Sequence, residues 1–189
     1  MASSKFNVVT HGLSGLVGDL LVFRQRGNKT IVANRPKPST KPVKAISLAI
    51  RERFKRAAIY ATSVMKNPAL KEEYLLTAKP GQSAYNMAFS DYQKAPEIYE
   101  DIDLAVYTGA VGDEIVLSVI DDFRVESVHV QIKTPDGNVL EQGEAIQSVN
   151  GLDWIYSTTE FNSEVPGSLF IFTATDLPGN KTVLEKLLV

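Results

Sequence analysis

The sequence of 189 residues contains no cysteine, two histidines and one tryptophan. Without cysteine there are no disulfide bonds, thiolate metal sites or thiol nucleophiles, so the fold must be held by the packing of its core. The two histidines, His11 and His129, lie far apart in the chain. His129 alternates with Val128 and Val130, which predicts a solvent-facing strand residue rather than a catalytic base. No set of residues forms a recognisable active site, and we expect neither enzymatic activity nor a cofactor.

Long apolar runs are also missing. No stretch approaches the roughly 18 apolar residues that a membrane-spanning helix needs. The first residues of the chain are not followed by an apolar segment of signal-peptide length. We therefore expect a cytoplasmic protein that is able to join a larger particle, with no membrane partner and no small-molecule substrate.

The charges are distributed very unevenly, although the net charge is only −2. Residues 1–96 contain 16 lysines or arginines and 5 acids, a net charge of +11, whereas residues 97–189 contain 4 and 17, a net charge of −13. Such an asymmetry indicates a polyanionic partner for the basic half, or contact between opposite halves of neighbouring molecules. Two solvated faces without a specific partner are the alternative. We expect two domains, residues 1–96 and 97–189.

The basic half predicts a β-hairpin followed by about three short helices. Strand-like segments flank Gly27-Asn28, a two-residue loop that is typical of hairpins. Three prolines between Arg35 and Pro42 predict an extended connector. After it, apolar residues recur at helical spacing. The predicted strands are residues 20–26 and 29–34, and the predicted helices are residues 43–66, 67–78 and 83–92, with Asn67 and Ser83 as N-caps of the last two.

From Ile102 onward the apolar period changes to two, which predicts β-strands. Seven short strands with turns at Pro135-Asp136-Gly137 and Pro178-Gly179-Asn180 favour an antiparallel β-sandwich. Trp154 and Tyr156 alternate, and we expect them on one buried face. The predicted strands are residues 104–108, 114–120, 127–134, 138–146, 152–159, 168–175 and 181–188. The predicted fold class is thus α+β, with the hairpin and helices preceding a seven-stranded sandwich.

Motifs for metal or nucleotide binding are incomplete. Gly12, Gly15 and Gly18 have the spacing of neither a Walker loop nor a dinucleotide fingerprint, and they predict tight bends instead. Asp121, Asp122 and Asp176 lie at predicted strand ends, where clustered carboxylates in a sandwich sometimes bind calcium, but the regular D-x-D-x-D-G loop is missing. We predict no metal site, and calcium at these carboxylates is left open as an alternative.

The strongest chemical signal is a basic run that contains a single acid, Glu52. Phosphate backbones bind such a surface through counterion release, and an acidic protein surface binds it through charge complementarity. We predict that the run binds a partner. Its residues are Arg24, Arg26, Lys29, Arg35, Lys37, Lys41, Lys44, Arg51, Arg53, Lys55 and Arg56.

Each half resembles a known group of proteins. The N-terminal half resembles an uncharacterised family of small bacterial and phage-associated proteins. The residues that carry this resemblance are Gly12, Gly15 and Gly18, the segment Phe23 to Lys29, Arg35-Pro36, Arg53-Phe54, and Ser83-Ala84-Tyr85-Asn86. The C-terminal half, notably Ala174 to Asn180, resembles immunoglobulin-like or fibronectin-III-like modules, which have no single activity.

Two functional hypotheses follow from these observations. In the first, the chain is a non-enzymatic structural or adaptor protein whose basic half docks into a larger complex, phage-like or self-assembled, while the β-sandwich serves as an interaction module. Its partner is then a protein, with another copy of the same chain as the nearest candidate. In the second, the surface from Arg24 to Arg56 binds nucleic acid.

Overall fold

The computed structural model describes residues 2–4, 9–26, 29–37 and 44–189, and it divides the chain into two compact units, residues 1–44 and 45–189. The first unit is a four-stranded antiparallel sheet with the strand order β1-β4-β3-β2. Its strands are β1 (Ala2–Ser4), β2 (Gly15–Val17), β3 (Leu21–Arg26) and β4 (Lys29–Asn34).

The predicted hairpin is confirmed as the pairing of β3 with β4. Leu21 lies opposite Asn34 at one end of the pair, and Arg26 lies opposite Lys29 at the other. The turn residues Gly27 and Asn28 are outside the described residues, as are residues 38–43 of the predicted connector. The sequence did not predict β1 and β2, because each is only three residues long.

Three helices open the second unit, as the sequence predicted. They are α1 (Ala45–Val64), α2 (Pro68–Thr77) and α3 (Ala84–Asp91). The predicted N-caps are confirmed, because Asn67 accepts from the amide of Leu70 and Ser83 accepts from that of Asn86. The helices share a small core of Ala61, Val64, Tyr74, Ala84, Met87 and Ala88.

Eight strands follow in two antiparallel sheets of four, with the orders β5-β6-β10-β9 and β12-β11-β7-β8. Their inner faces bury apolar side chains in one shared core that includes Leu117, Val130, Trp154 and Phe172. The strands are β5 (Glu97–Ile98), β6 (Glu114–Ile120), β7 (Val125–Lys133), β8 (Val139–Glu144), β9 (Ile146–Gln147), β10 (Asp153–Ser157), β11 (Leu169–Asp176) and β12 (Lys181–Leu187).

The predicted set of seven strands needs two corrections. Residues 104–108 are not a strand: the carboxylate of Asp103 accepts from the amide of Ala105 at 2.9 Å and stabilises a turn that buries Leu104 and Tyr107. The predicted strand 138–146 is two strands in different sheets, because the chain changes sheets at Ala145. The coarser prediction of an α+β chain with antiparallel sheets is confirmed.

The boundary between the two compact units does not coincide with the change in net charge at residues 96/97. The helices belong to the same unit as the eight strands, and the Tyr74 ring on α2 stacks on Phe123, with ring centroids 3.9 Å apart. The structure places the boundary between the two units at Lys44 and Ala45. Within the described part of the chain, the helices are too short or too polar to cross a membrane.

Candidate functional site

The N-terminal sheet has very little core of its own. Within residues 9–26 and 29–37, only Phe23 and Thr30 are buried. Apolar side chains on β2 and in the loops remain open to solvent, and Leu16 and Leu20 are 51% and 76% exposed. A small sheet normally gains its stability by packing an apolar face against another layer. This sheet therefore presents apolar surface that is available to a partner.

Three cations lie together on one face of the β3–β4 pair. Arg24 and Arg26 alternate with Gln25, and Lys29 lies directly opposite Arg26. Gln25 occupies the other face, where its amide donates to the Leu13 carbonyl at 2.8 Å and to the Thr30 hydroxyl at 2.8 Å. Because Gln25 is anchored there, the cations are held on the opposite, exposed face. We call Arg24, Arg26 and Lys29 the basic ribbon.

No carboxylate of its own unit neutralises the basic ribbon. The only acid in residues 1–44 is Asp19, and it forms an ion pair with Arg35. Like charges directly opposite each other across a strand pair are destabilising, and Arg26 and Lys29 form such a pair. An anionic group bound to this face would remove that repulsion.

The first half of α1 is a second basic and apolar surface. From Ala45 to Arg56 every side chain is exposed except the half-buried Ser47, and burial begins at Ala57. The apolar residues that recur at helical spacing are thus not all buried, and Ile50 is 64% exposed. Near the middle of the helix, the Arg53 guanidinium donates to the Gln93 carbonyl and Phe54 packs edge-on against Phe89.

The predicted basic run is divided between the two compact units. Arg24, Arg26, Lys29, Arg35, Lys37 and Lys44 belong to the first unit, and Arg51, Arg53, Lys55 and Arg56 lie on α1 in the second. Lys41 is outside the described residues. The structure brings together the basic ribbon and, separately, the α1 cations. A common role for all of them in partner binding stays a prediction.

The structure groups the carboxylates differently from the sequence prediction. Asp121 and Asp176 lie together, with oxygens within 4.8 Å of each other, but their third member is Asp91 rather than Asp122. Asp122 forms an ion pair with Lys94 at 2.5 Å. We call Asp91, Asp121 and Asp176 the carboxylate cluster.

The sequence contained a signal for Asp91 that was missed. The buried residues of α3 are Ala84, Met87, Ala88 and Asp91, at the spacing of a helix face that packs on a core. An aspartate at the last position of a buried stripe is unusual, because burial of a charge is costly unless the charge is compensated. Its position on this buried face therefore indicates that the Asp91 carboxylate needs a compensating partner.

Burial and mutual repulsion dominate the electrostatics of the cluster. Burial, with a smaller effect from the charges of Asp121 and Asp176, raises the pKa of Asp91 to about 7, although a hydrogen bond from the Tyr74 hydroxyl acts in the opposite direction. Burial also raises the pKa of Asp176, although the amide groups of Asn180 oppose this change by donating to its carboxylate. The site thus accumulates negative charge that its surroundings compensate only in part.

Comparison with known proteins gives little further information. No protein-family model matches the chain, and no curated protein matches it. A crystal structure of a protein described as engineered matches with a TM-score of 0.34 and 15% sequence identity. That match covers 60% of this chain and 30% of the engineered chain. A likeness this weak says nothing about what the chain does.

Proposed function

We propose that the chain is a non-enzymatic structural protein that assembles with other copies of itself through its basic N-terminal sheet and the exposed half of α1. The observation that carries this proposal is the state of the N-terminal sheet, in which only Phe23 and Thr30 are buried among residues 9–26 and 29–37. A sheet with so little core gains stability when another surface covers it. The basic ribbon adds a requirement for negative charge on that surface.

The C-terminal half of another copy supplies the required charge. Residues 97–189 carry a net charge of −13, opposite in sign to the +11 of residues 1–96. Complementary potentials steer association and fix its orientation. Contact between the basic part of one copy and the acidic part of the next is a head-to-tail interface, which forms rings or filaments.

We further propose that residues 97–189 are an immunoglobulin-like interaction module. Support comes from the strand orders β5-β6-β10-β9 and β12-β11-β7-β8, which parallel the A-B-E-D and G-F-C orders of such modules. The chain crosses between the sheets repeatedly, for instance between β6 and β7. Since modules of this kind serve in many interactions, their role here is to provide the acidic docking surface.

The test is sedimentation velocity of the full chain over a range of protein and salt concentrations. We expect species larger than the 20.7 kDa monomer at about 0.05 M salt, and their dissociation near 1 M, where screening acts over only about 3 Å. A monomer at every protein and salt concentration would overturn the proposal.

Charge reversal on the basic ribbon gives a matched pair of variants. Arg24→Glu combined with Arg26→Glu should weaken self-association by roughly tenfold or more, because like charges then face each other across the interface. Lys66→Glu combined with Lys71→Glu changes the same number of charges at exposed positions outside the basic run and should leave association unchanged. If the ribbon variant assembles normally but no longer retards DNA or RNA in a gel at low salt, nucleic acid is the partner and self-assembly through the ribbon is wrong.

A further inference from the structure

The carboxylate cluster lies where three structural elements meet. Asp91 is the last residue of α3, Asp121 directly follows β6 in one sheet, and Asp176 is the last residue of β11 in the other sheet. One oxygen of each residue lies within 4.8 Å of one from each other residue. Residues separated by 30 and 55 positions in the chain thus place three carboxylates in one small space.

Two oxygens in the cluster have no hydrogen-bond partner. Asp91 is completely buried, and its Oδ2 accepts from the Tyr74 hydroxyl at 2.5 Å, but its Oδ1 is buried without a partner. Asp121 is in the same situation: its Oδ2 accepts from the amides of Phe123 and Arg124, while its Oδ1 is buried and unpartnered. A buried carboxylate oxygen without a donor is costly, and it indicates that either a cation or a proton shared between Asp91 and Asp121 occupies the space between these residues.

We propose that Asp91, Asp121 and Asp176 bind one hard divalent cation, Ca²⁺, which links α3 to both sheets. Carboxylate oxygens are the preferred ligands of Ca²⁺, which lies 2.3–2.6 Å from them. Two oxygens that bind one such ion are at most about 5 Å apart, and the spacing within 4.8 Å meets this condition for each pair of residues. Mg²⁺ needs shorter bonds of 2.0–2.1 Å and nearly ideal octahedral geometry.

One member of the cluster, Asp121, borders a surface cavity. A surface cavity of about 170 Å³ has Asp121 in its wall, together with Glu97 and Asp122. Lys94 lines the same cavity and pairs with Asp122, so the charge that attracts a cation to the opening comes from Glu97 and Asp121. Because few protein ligands are available, water that enters through the cavity completes the coordination shell, as is common for this ion.

A shared proton is the competing occupant of the site. One proton neutralises a single carboxylate and leaves two negative charges close together, whereas a divalent cation contacts all three residues at once. The cation also explains why the three carboxylates come from three different elements. The experiment below separates the two occupants.

The test is thermal unfolding of the full chain at neutral pH in EDTA, in Ca²⁺ and in Mg²⁺. With Ca²⁺ at about one hundred times its dissociation constant, Tm should rise by roughly 5–10 °C relative to EDTA, with a smaller rise in Mg²⁺. Tb³⁺, which replaces Ca²⁺ at oxygen sites, should emit when tyrosine is excited, because Tyr74 is hydrogen-bonded to a ligand. Identical Tm values in EDTA and Ca²⁺, without Tb³⁺ emission, would overturn the proposal in favour of the proton.

Two neighbouring variants make the test specific. Asp121→Asn keeps an oxygen acceptor for the Phe123 and Arg124 amides but removes a ligand charge, so the Ca²⁺-dependent rise in Tm should be lost. In EDTA the same variant should be at least as stable as the wild type, because one of three like charges is gone. Asp122→Asn is the control, since Asp122 pairs with Lys94 outside the cluster, and it should retain the full Ca²⁺ response. A loss of the response in both variants would contradict the assigned ligands.

Discussion

Among the glycines in the described part of the chain, Gly109 has the least room for a side chain. Its φ is +85°, and a Cβ there would lie 2.5 Å from the Asn162 carbonyl oxygen and 2.5 Å from a methyl group of Val165. This close approach brings the loop after Tyr107 against the loop before β11. There the backbone N–H of Asn162 donates to the Gly109 carbonyl at 2.9 Å. Gly137 has the same φ of +85° with nothing within 4 Å of the added atom.

Gly109→Ala should therefore destabilise the protein far more than Gly137→Ala. We expect a loss of about 1 kcal/mol at Gly137 from the left-handed backbone alone, and about 3 kcal/mol at Gly109, where overpacking is added. Urea denaturation of the two variants measures both values. Equal losses would show that the two loops separate easily.

Glu141 is a buried carboxylate with a different role from the cluster. Its Oε2 accepts from the Tyr156 hydroxyl at 3.1 Å and from the Thr159 amide and hydroxyl at 2.7 and 2.8 Å. Through these contacts β8 of one sheet is joined to the end of β10 in the other. Burial, followed by the charge of Glu141, raises the pKa of Tyr156, so that hydroxyl stays protonated as a donor.

Glu141→Ala should cost about 3 kcal/mol of folding stability, because it leaves several buried donors without an acceptor. Glu141→Gln keeps one acceptor oxygen and should lose less than half as much. Chemical denaturation followed by fluorescence of the single tryptophan gives both free energies. A glutamine variant as unstable as the alanine variant would show that the charge, rather than the hydrogen bonds, stabilises the contact.

Helix α1 combines two different environments in one element. Its last two turns bury Ala57, Ala61 and Val64, whereas its first half is exposed. Among the apolar residues of this half, Phe54 packs against Phe89, whereas Ile46 and Ile50 are exposed. A second surface that covered Ile46 and Ile50 would gain apolar burial, which is consistent with the proposed assembly.

Substitutions along α1 should separate folding from assembly. Val64→Ala should destabilise the monomer by about 2 kcal/mol, since it removes buried methyl groups and leaves a cavity. Ile50→Ala should change monomer stability by less than about 0.5 kcal/mol, because that side chain is exposed. Urea midpoints at high salt, where the chain is monomeric, measure both. A large loss at Ile50 would mean that the first half of α1 packs on its own monomer.

The sequence predicted most elements well and failed where local pattern and tertiary contact disagree. The helices and the strands β6, β7, β10, β11 and β12 were found because apolar spacing reports which face is buried, whereas the two-residue strand β5 was not. Residues 104–108 look like a strand, but Asp103 stabilises a turn there. The change of sheet at Ala145 leaves no local signal, since β8 and β9 are both extended. The carboxylate cluster was found in part, because strand ends are visible in a sequence but their meeting with α3 is not.

At the scale of the molecule, one side chain joins the helices to the strands. The Asn180 amide, in the turn between β11 and β12, donates to the carbonyl of Lys94 at 2.8 Å and to that of Tyr92 at 3.3 Å. The same amide donates to Asp176 at 2.7 Å. It thus links the turn after β11 to the segment that follows α3. Together with the stacking of Tyr74 on Phe123, this contact connects the helices to the strands within the compact unit of residues 45–189.

Asn180→Ala should uncouple the helices from the sheets during unfolding. In the wild type, circular dichroism at 222 nm, which reports the helices, and fluorescence of the buried Trp154, which reports the strand core, should follow the same transition. The variant should lose about 3 kcal/mol and its helical signal should disappear at a lower temperature than the fluorescence change. Asn150→Ala is the control, because Asn150 bonds only within its own turn, to Leu152 and Asp153. In the control variant, both transitions should move to lower temperature together. If the two signals separate to a similar extent in both variants, Asn180 has no special role in joining the helices to the sheets.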